Sequence, residues 1–414
     1  MTKDSKTTFT PKLRFPEFRN KVPWTLKELG ELFRQREETG HDGLRLLSLT
    51  DKEGIIPQEE SNRKNNASVD RSKYLRVAQG DIVYNTMRMW EGRSALATLE
   101  GIVSPAYTVC EPCEETNSLF FAHYFKTSHL VAQFARYSQG LVKDTLNLKF
   151  ETFARILAAT PSPAEQQKIA ECLSTLDELI GAESQKLDAL KTHKKGLMQQ
   201  LFPREGETRP RLRFPEFRDA PEWEQRRLGD LVEIATGQVD PKEPPYCDLP
   251  QIGSENIESN TGKIVNVKTA REKGVISGNY VFDKEDVLYS KIRPALNKVA
   301  APSFKGVCSA DIYPVRPNSG SLLRNYLVFL LLSEKFLGYA IRSSDRGKIP
   351  KINREALLSY EAHVPSVDEQ RRIADCLSSL DDLIAAQSEK LESLRTHKRG
   401  LMQQLFPNPS EFES

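Results

Sequence analysis

Five basic side chains, Arg342, Arg346, Lys348, Lys351 and Arg354, stand within the thirteen residues RSSDRGKIPKINR against a single acid, Asp345. Guanidinium and ammonium groups on a loop marked by Gly347 and Pro350 suit a phosphate backbone, which they bind without reading sequence. A stretch in the first half of the chain, SQGLVKDTLN, keeps Gly140, Lys143 and Asn147 at corresponding places. A second set follows a short apolar strand pattern. After DVLY come Lys291, Arg293, Asn297 and Lys298, with Tyr289 closing the strand; after DIVY, closed by Tyr84, come Asn85, Arg88 and Arg93. Arg and Lys reach guanine O6 and N7 while Asn suits adenine, so these residues are candidates for base contact. The two tyrosines fit a core equally well. Arg88 and Arg293, equivalent in the two halves, suit phosphate or structure better than a base.

Catalytic chemistry finds little support. Cys110 and Cys113 form a lone CEPC with no second pair to complete a zinc site, and six cysteines in 414 residues fit a reducing compartment. Glu243 to Tyr246 reads EPPY, one residue from the D/N-P-P-Y/F signature of amino-methyltransferases, but Glu stands where Asp or Asn is needed. No glycine-rich cofactor loop accompanies it. There is no GxxxxGK[ST] for a nucleoside triphosphate, and none of the six histidines has metal-ligand spacing.

Two copies of one unit must position these residues. Residues 161–203 and 365–407 are identical at 29 of 43 positions, and KLRFPEFR (12–19) returns as RLRFPEFR (211–218), each followed by a tryptophan, Trp24 and Trp223. The stretches between diverge: 80–109 and 285–314 share 6 of 30 positions, which implies a shared fold with different surfaces. Each repeated tail reads as one long helix with heptad a/d spacing: Leu173, Leu176, Ile180, Leu187 and Leu190 in the first, Leu377, Leu380, Ile384, Leu391 and Leu394 in the second. Polar residues interrupt both seams at the same steps, Glu183 with Gln387 and Lys194 with Lys398. An antiparallel pairing of the tails would set the first two near its middle and each lysine nearer an end. Some 38 helical residues make a rod of roughly 57 Å.

The expected division is therefore 1–160 body, 161–203 helix, 204–364 body, 365–407 helix and 408–414 tail. The bodies read as mixed α/β, with strands at Asp81–Tyr84, 101–109, Asp286–Tyr289 and 306–313, and helices over 119–139 and 321–343. With 38% apolar and 28% charged residues the chain has the composition of a soluble globular protein, and its net charge of +2 does not announce a nucleic-acid binder. The longest apolar run, Tyr326 to Leu332, is far short of the ~20 residues of a membrane span. A cytoplasmic protein is expected.

Divergent bodies each followed by a conserved helix that starts E-Q-x-x-I-A (Glu165, Gln166, Ile169, Ala170; Glu369, Gln370, Ile373, Ala374) resemble the specificity subunit of type I restriction-modification enzymes. The resemblance covers essentially the whole chain, including the FPEF motifs, YSKIRPALNK and the GLMQQLFP ends. It implies an α/β (α+β) architecture of two similar mixed α/β target recognition domains joined by an antiparallel coiled coil, each domain reading half of a split, asymmetric double-stranded DNA site. It also implies partners: two modification subunits that bind S-adenosylmethionine, and two restriction subunits that use ATP and Mg. No cofactor or metal is then expected in this chain, and no membrane partner. For docking, the exposed faces of the tails offer Lys168, His193, Lys195, Gln199 and Gln200 with their equivalents Arg372, His397, Arg399, Gln403 and Gln404. The alternative reading is a self-contained DNA-binding regulator with a coiled-coil arm.

Overall fold

A computed structural model describes residues 9–50, 53–61, 70–318, 320–345 and 347–407. The chain forms two compact units, 1–183 with 390–414, and 184–389. Each unit thus holds one body, the first half of that body's own tail helix and the last part of the other tail helix.

The strands of the first unit are β1 (Thr25–Glu28), β2 (Phe33–Gln35), β3 (Leu47–Thr50), β4 (Gly54–Pro57), β5 (Leu75–Val77), β6 (Ile82–Asn85), β7 (Ser94–Leu96), β8 (Gly101–Val103), β9 (Tyr107–Pro112) and β10 (Leu157–Thr160). Those of the second are β11 (Glu224–Arg227), β12 (Val232–Ile234), β13 (Pro250–Ile252), β14 (Lys268–Thr269), β15 (Asn279–Phe282), β16 (Val287–Ser290), β17 (Val299–Ala300), β18 (Gly306–Ser309), β19 (Ile312–Pro317) and β20 (Glu361–Val364). Each unit has the same four-stranded antiparallel sheet, ordered β2-β9-β6-β7 and β12-β19-β16-β17. Each also pairs its first strand with its last, β1 with β10 and β11 with β20, just before the tail helix begins. The bodies part company in their second sheets: β5 pairs β8 beside a separate β3-β4 hairpin in one, while β14-β13-β18-β15 form one sheet in the other.

The strands expected over 101–109 and 306–313 are each two strands in two different sheets. The break is a serine turn at the same place in both: Ala106 N donates to Ser104 Oγ at 3.3 Å and Asp311 N to Ser309 Oγ at 3.2 Å. The helices expected over 119–139 and 321–343 are likewise pairs, Ser118–Tyr124 with Ser128–Tyr137 and Arg324–Leu332 with Glu334–Arg342. Thr127 and Ser333 adopt extended backbone at the break and cap the second helix of each pair, as hydroxyl N-caps do.

The tail helices run Pro163–Leu201 and Val367–Leu405. The seven seam positions named for each helix, the two polar ones included, are all buried or half-buried. In the first unit Lys398 donates to Asp177 at 2.5 Å and Lys390 pairs with Glu183; in the second Lys194 donates to Asp381 at 2.5 Å. In the first unit rising numbers on one helix meet falling numbers on the other, so the helices there are antiparallel. Lys194 and Lys398 are equivalent, as are Asp381 and Asp177, so inward lysines fix the register twice by the same bond.

Candidate nucleic-acid interface

The repeated motifs build a clamp that holds each body on the helices. Arg14 of the first LRFPEF makes a bidentate ion pair with Glu165 (2.8 and 2.7 Å), and Arg213 of the second makes the same pair with Glu369 at the same distances. Fork-to-carboxylate geometry adds direction to charge. Gln166 accepts from Asn117 N (2.9 Å) and donates to Pro161 O, while Gln370 accepts from Leu323 N (2.8 Å) and donates to Pro365 O. Lys168 lies over the Phe15 ring and within 3.8 Å of Glu17; Arg372 lies over Phe214 and bonds Glu216 at 3.1 Å. Both side chains, offered above for docking, remain exposed while they touch their own FPEF motif.

The end of the other tail closes each clamp. Leu13 N donates to Gln404 O (2.9 Å) in the first unit, and Leu212 N to Gln200 O (3.0 Å) in the second. Phe406 stacks on Tyr124 with centroids 4.7 Å apart, and Phe202 on Tyr326 at 5.5 Å. The Leu-Phe-Pro ends are therefore core residues of a body as well as helix stops. The sequence signal for the clamp was available: an arginine and a glutamate, each repeated inside otherwise apolar motifs, complement one another.

The two candidate segments of each body lie side by side. In the first unit Leu148 N donates to Thr86 O (2.8 Å), and Gln139 and Asn147 exchange two backbone bonds (2.8 and 2.9 Å) that close a narrow loop. Gly140 is required there, because a Cβ would sit 2.6 Å from the Thr145 carbonyl. In the second unit Ile352 N donates to Lys291 O (3.0 Å), Arg293 N to Pro350 O (2.7 Å) and Asp345 N to Lys351 O (2.9 Å). Segments far apart in sequence thus form one surface by equivalent bonds in both bodies.

The structure sorts the nominated residues. Lys143, Lys348 and Lys351 are exposed, and none of their side chains makes an ion pair among the described residues. Arg88 is exposed and leans on Glu91 at 3.4 Å, which Arg93 also meets at 3.1 Å. Arg293 is exposed with left-handed backbone (φ 48°), a conformation that costs a non-glycine residue free energy and clusters at functional positions. Asn85 is half-buried and accepts from Met87 N, and Asn147 is half-buried in the loop ladder. Lys291 is half-buried over the Tyr313 ring (5.2 Å), and Lys298 donates to Ser254 O at 2.6 Å. Arg346 lies outside the described residues.

Other nominations belong to the core. Tyr84 and Tyr289 are buried at 0% and 2% exposure in the two main cores, and burial pushes both phenols up, so neither presents a face to a ligand. Asn297 is buried and donates to Asn260 Oδ1 (3.0 Å) and Leu332 O (3.1 Å), locking the turn after Pro294. Of the five basic groups in 342–354, Arg342 makes an exposed pair with Glu205 (2.9 Å), as Arg88 does with Glu91, and Arg354 is half-buried and donates to Ala235 O (2.7 Å), which ties it to its own body. The acids that start DIVY and DVLY are also structural. Asp81 is held by Arg36 (2.8 Å) and Asp286 by Arg316 (2.9 Å), and burial pushes the Asp81 carboxyl up against the lowering pull of Arg36. Among the described residues no helix is long and apolar enough to cross a membrane.

The family model of the type I restriction modification DNA specificity domain matches twice, over residues 21–192 and 221–396. The chain is 30% identical over 241 residues to the specificity subunit of the type I restriction enzyme EcoDI of Escherichia coli, covering 53% of each protein. It is 25% identical over 359 residues to the MjaVIII specificity subunit of Methanocaldococcus jannaschii, covering 81% of this chain and 82% of that one. The chain thus spans about half of the first relative and four fifths of the second. Its fold resembles the type I restriction-modification S subunit of M. genitalium with TM-score 0.57 at 16% identity, over 96% of this chain and 99% of that one. These matches lend no support to a free-standing regulator.

Proposed function

The chain belongs to the type I restriction-modification DNA specificity family, and from that premise we propose that each body reads one half of a bipartite, asymmetric site in double-stranded DNA. The observation that carries the proposal is the pairing of the two basic segments in each body. One framework, closed by equivalent backbone bonds, presents Arg88, Arg93 and Lys143 in the first body and Arg293, Lys348 and Lys351 in the second. Lysine and arginine supply backbone affinity, and the differing neighbours on the loops supply discrimination.

On this reading the tail helices set the spacer between the half-sites, and their repeated outer faces, with His193, Lys195, Gln403 and Arg399 among them, seat two copies of a modification subunit. Two equivalent sites for two identical partners follow from the internal repeat. The chain itself carries out no catalytic step. S-adenosylmethionine sits in the modification subunits, ATP and Mg serve two restriction subunits, and the whole works in the cytoplasm.

The test is the pattern of methylated adenines in the genome of a host that expresses this chain with its modification subunit. A split motif with an unread spacer supports the proposal, and a continuous or palindromic motif overturns it. Exchanging 12–160 for another body should change one half of the motif only.

A further inference from the structure

We infer that the tip of the 139–147 loop enters the major groove and reads a thymine through its 5-methyl group, with Leu141 as the contacting side chain. The inference rests on the DNA-reading function proposed above. Leu141 is fully exposed and Val142 is 61% exposed, the two standing side by side at the tip. A lone exposed apolar residue is ordinary on any protein surface. These two differ by their setting: Lys143 follows them, and the loop is bonded through Leu148 to Thr86, beside the turn that carries Arg88 and Arg93.

The second body repeats the arrangement on a shorter loop. Ile349, 49% exposed, stands between the exposed Lys348 and Lys351, and the loop is bonded through Ile352 to Lys291. Two bodies that share little sequence both place a branched apolar side chain beside exposed lysine on this loop, Lys143 in one and Lys348 and Lys351 in the other. A solvated loop gains nothing from that choice, whereas a loop that meets a base edge does.

The geometry fits a groove. Two antiparallel chain segments tied by the Gln139–Asn147 ladder have the width of a β-ribbon, which the major groove of about 12 Å admits. Within that groove the thymine methyl is the apolar feature among hydrogen-bonding groups, and a leucine has no other means of telling one base pair from another. Burying one methyl group against an aliphatic side chain corresponds to about a fourfold change in affinity.

The test uses the full-length chain assembled with its modification subunit and a duplex carrying its methylation motif, with each thymine replaced in turn by deoxyuridine, which lacks only the methyl. The expected result is a single position in the half read by the first body where the replacement weakens binding about fourfold, together with a Leu141→Ser variant that binds the thymine and uracil duplexes alike at the weaker level. Leu141 touches solvent on all sides, so this substitution leaves the fold intact. Equal affinity for every uracil duplex, a Leu141→Ser variant that keeps the thymine preference, or a first half-site without thymine on either strand overturns the inference. Those results leave the bipartite motif standing, whereas absence of any preference for the motif over unrelated DNA removes the proposed function itself.

Discussion

Removing Glu165 should destabilise the first unit far more than its position at the end of a helix suggests. Arg14 is 7% exposed and Glu165 1%, so Glu165→Ala strands a guanidinium where little water can reach it. Breaking a buried pair from one side costs about 3–5 kcal/mol, while exchanging both partners for apolar residues is close to neutral. Arg14 keeps two other acceptors, Lys21 O at 3.1 Å and Val22 O at 2.9 Å, which places the loss near the lower limit, about 3 kcal/mol. For a unit of this size that is roughly 9 °C in melting temperature. Arg14→Met with Glu165→Met should recover most of it. The two carbonyls it releases belong to exposed residues and return to water, leaving a deficit of about 1 kcal/mol. Differential scanning calorimetry of the wild type, Glu165→Ala and the double variant decides the matter. A single variant within 1 °C of wild type, or a double variant no more stable than the single, would refute the clamp as the source of that stability.

Four further outcomes follow from the geometry. Burial, aided by the Lys398 charge, lowers His123 to about 4, so between that value and the unfolded value near 6.5 the unfolded state binds more protons. Stability from this group is therefore present above pH 6.5 and lost as pH falls toward 4; His123→Phe, copying Phe329 at the equivalent place, should flatten the melting temperature across that window, and an unchanged slope would sink the assignment. Lys348→Ala with Lys351→Ala should reduce the slope of log affinity against log salt by about 2 without altering the motif, whereas Arg354→Met should cost stability and leave the slope alone. Tyr84→Phe and Tyr289→Phe should leave the methylated motif unchanged, and a changed motif in either variant would return that tyrosine to the DNA surface. Deleting 184–187 and 388–391 shortens each tail helix by about 6 Å and should shorten the preferred spacer by one or two base pairs, read from the methylation pattern; an unchanged spacer removes the helices as its determinant.

The tail helices were legible because a 3.5-residue apolar period over some forty residues fits little besides a long paired helix, and the helix bounds fall within two residues of the repeat. The closure of each body was not. Both tails end in the same GLMQQLFP, so nothing in the letters says that Phe406 completes the core around Tyr124 while Phe202 completes the one around Tyr326. The basic segments were visible as composition, yet the fate of single residues was not. Arg342 and Arg354 look like Lys348 and Lys351 in sequence, and only the fold brings Glu205 and the Ala235 carbonyl within their reach. Tyr84 and Tyr289 lie in short strands whose two faces are both covered, which removes the alternation that would have marked them as inward.

Why the tails stayed alike while the bodies diverged follows from which bonds share atoms. The clamp runs through Arg14, Glu165, Gln166 and Lys168 and their counterparts Arg213, Glu369, Gln370 and Arg372, and its side-chain bonds end on the FPEF segments and the carbonyls that follow them (Lys21 and Val22, Ala220 and Pro221), on Asn117 or Leu323 N, and on the carbonyls of Pro161, Pro365 and Ser321. None of these bonds reaches 84–93, 139–147, 289–298 or 345–351. The loops are closed chiefly by their own backbone bonds, Leu148 to Thr86 or Ile352 to Lys291, with side-chain requirements at a few positions, Gly140 and Asn297 among them. Side chains on the loops can therefore change without a term in the energy of the clamp, since substitutions without shared partners act nearly independently. A frame bonded by side chains constrains those side chains, and loops closed mainly by backbone bonds tolerate change at most positions, so one fold can carry two different surfaces on equivalent seats.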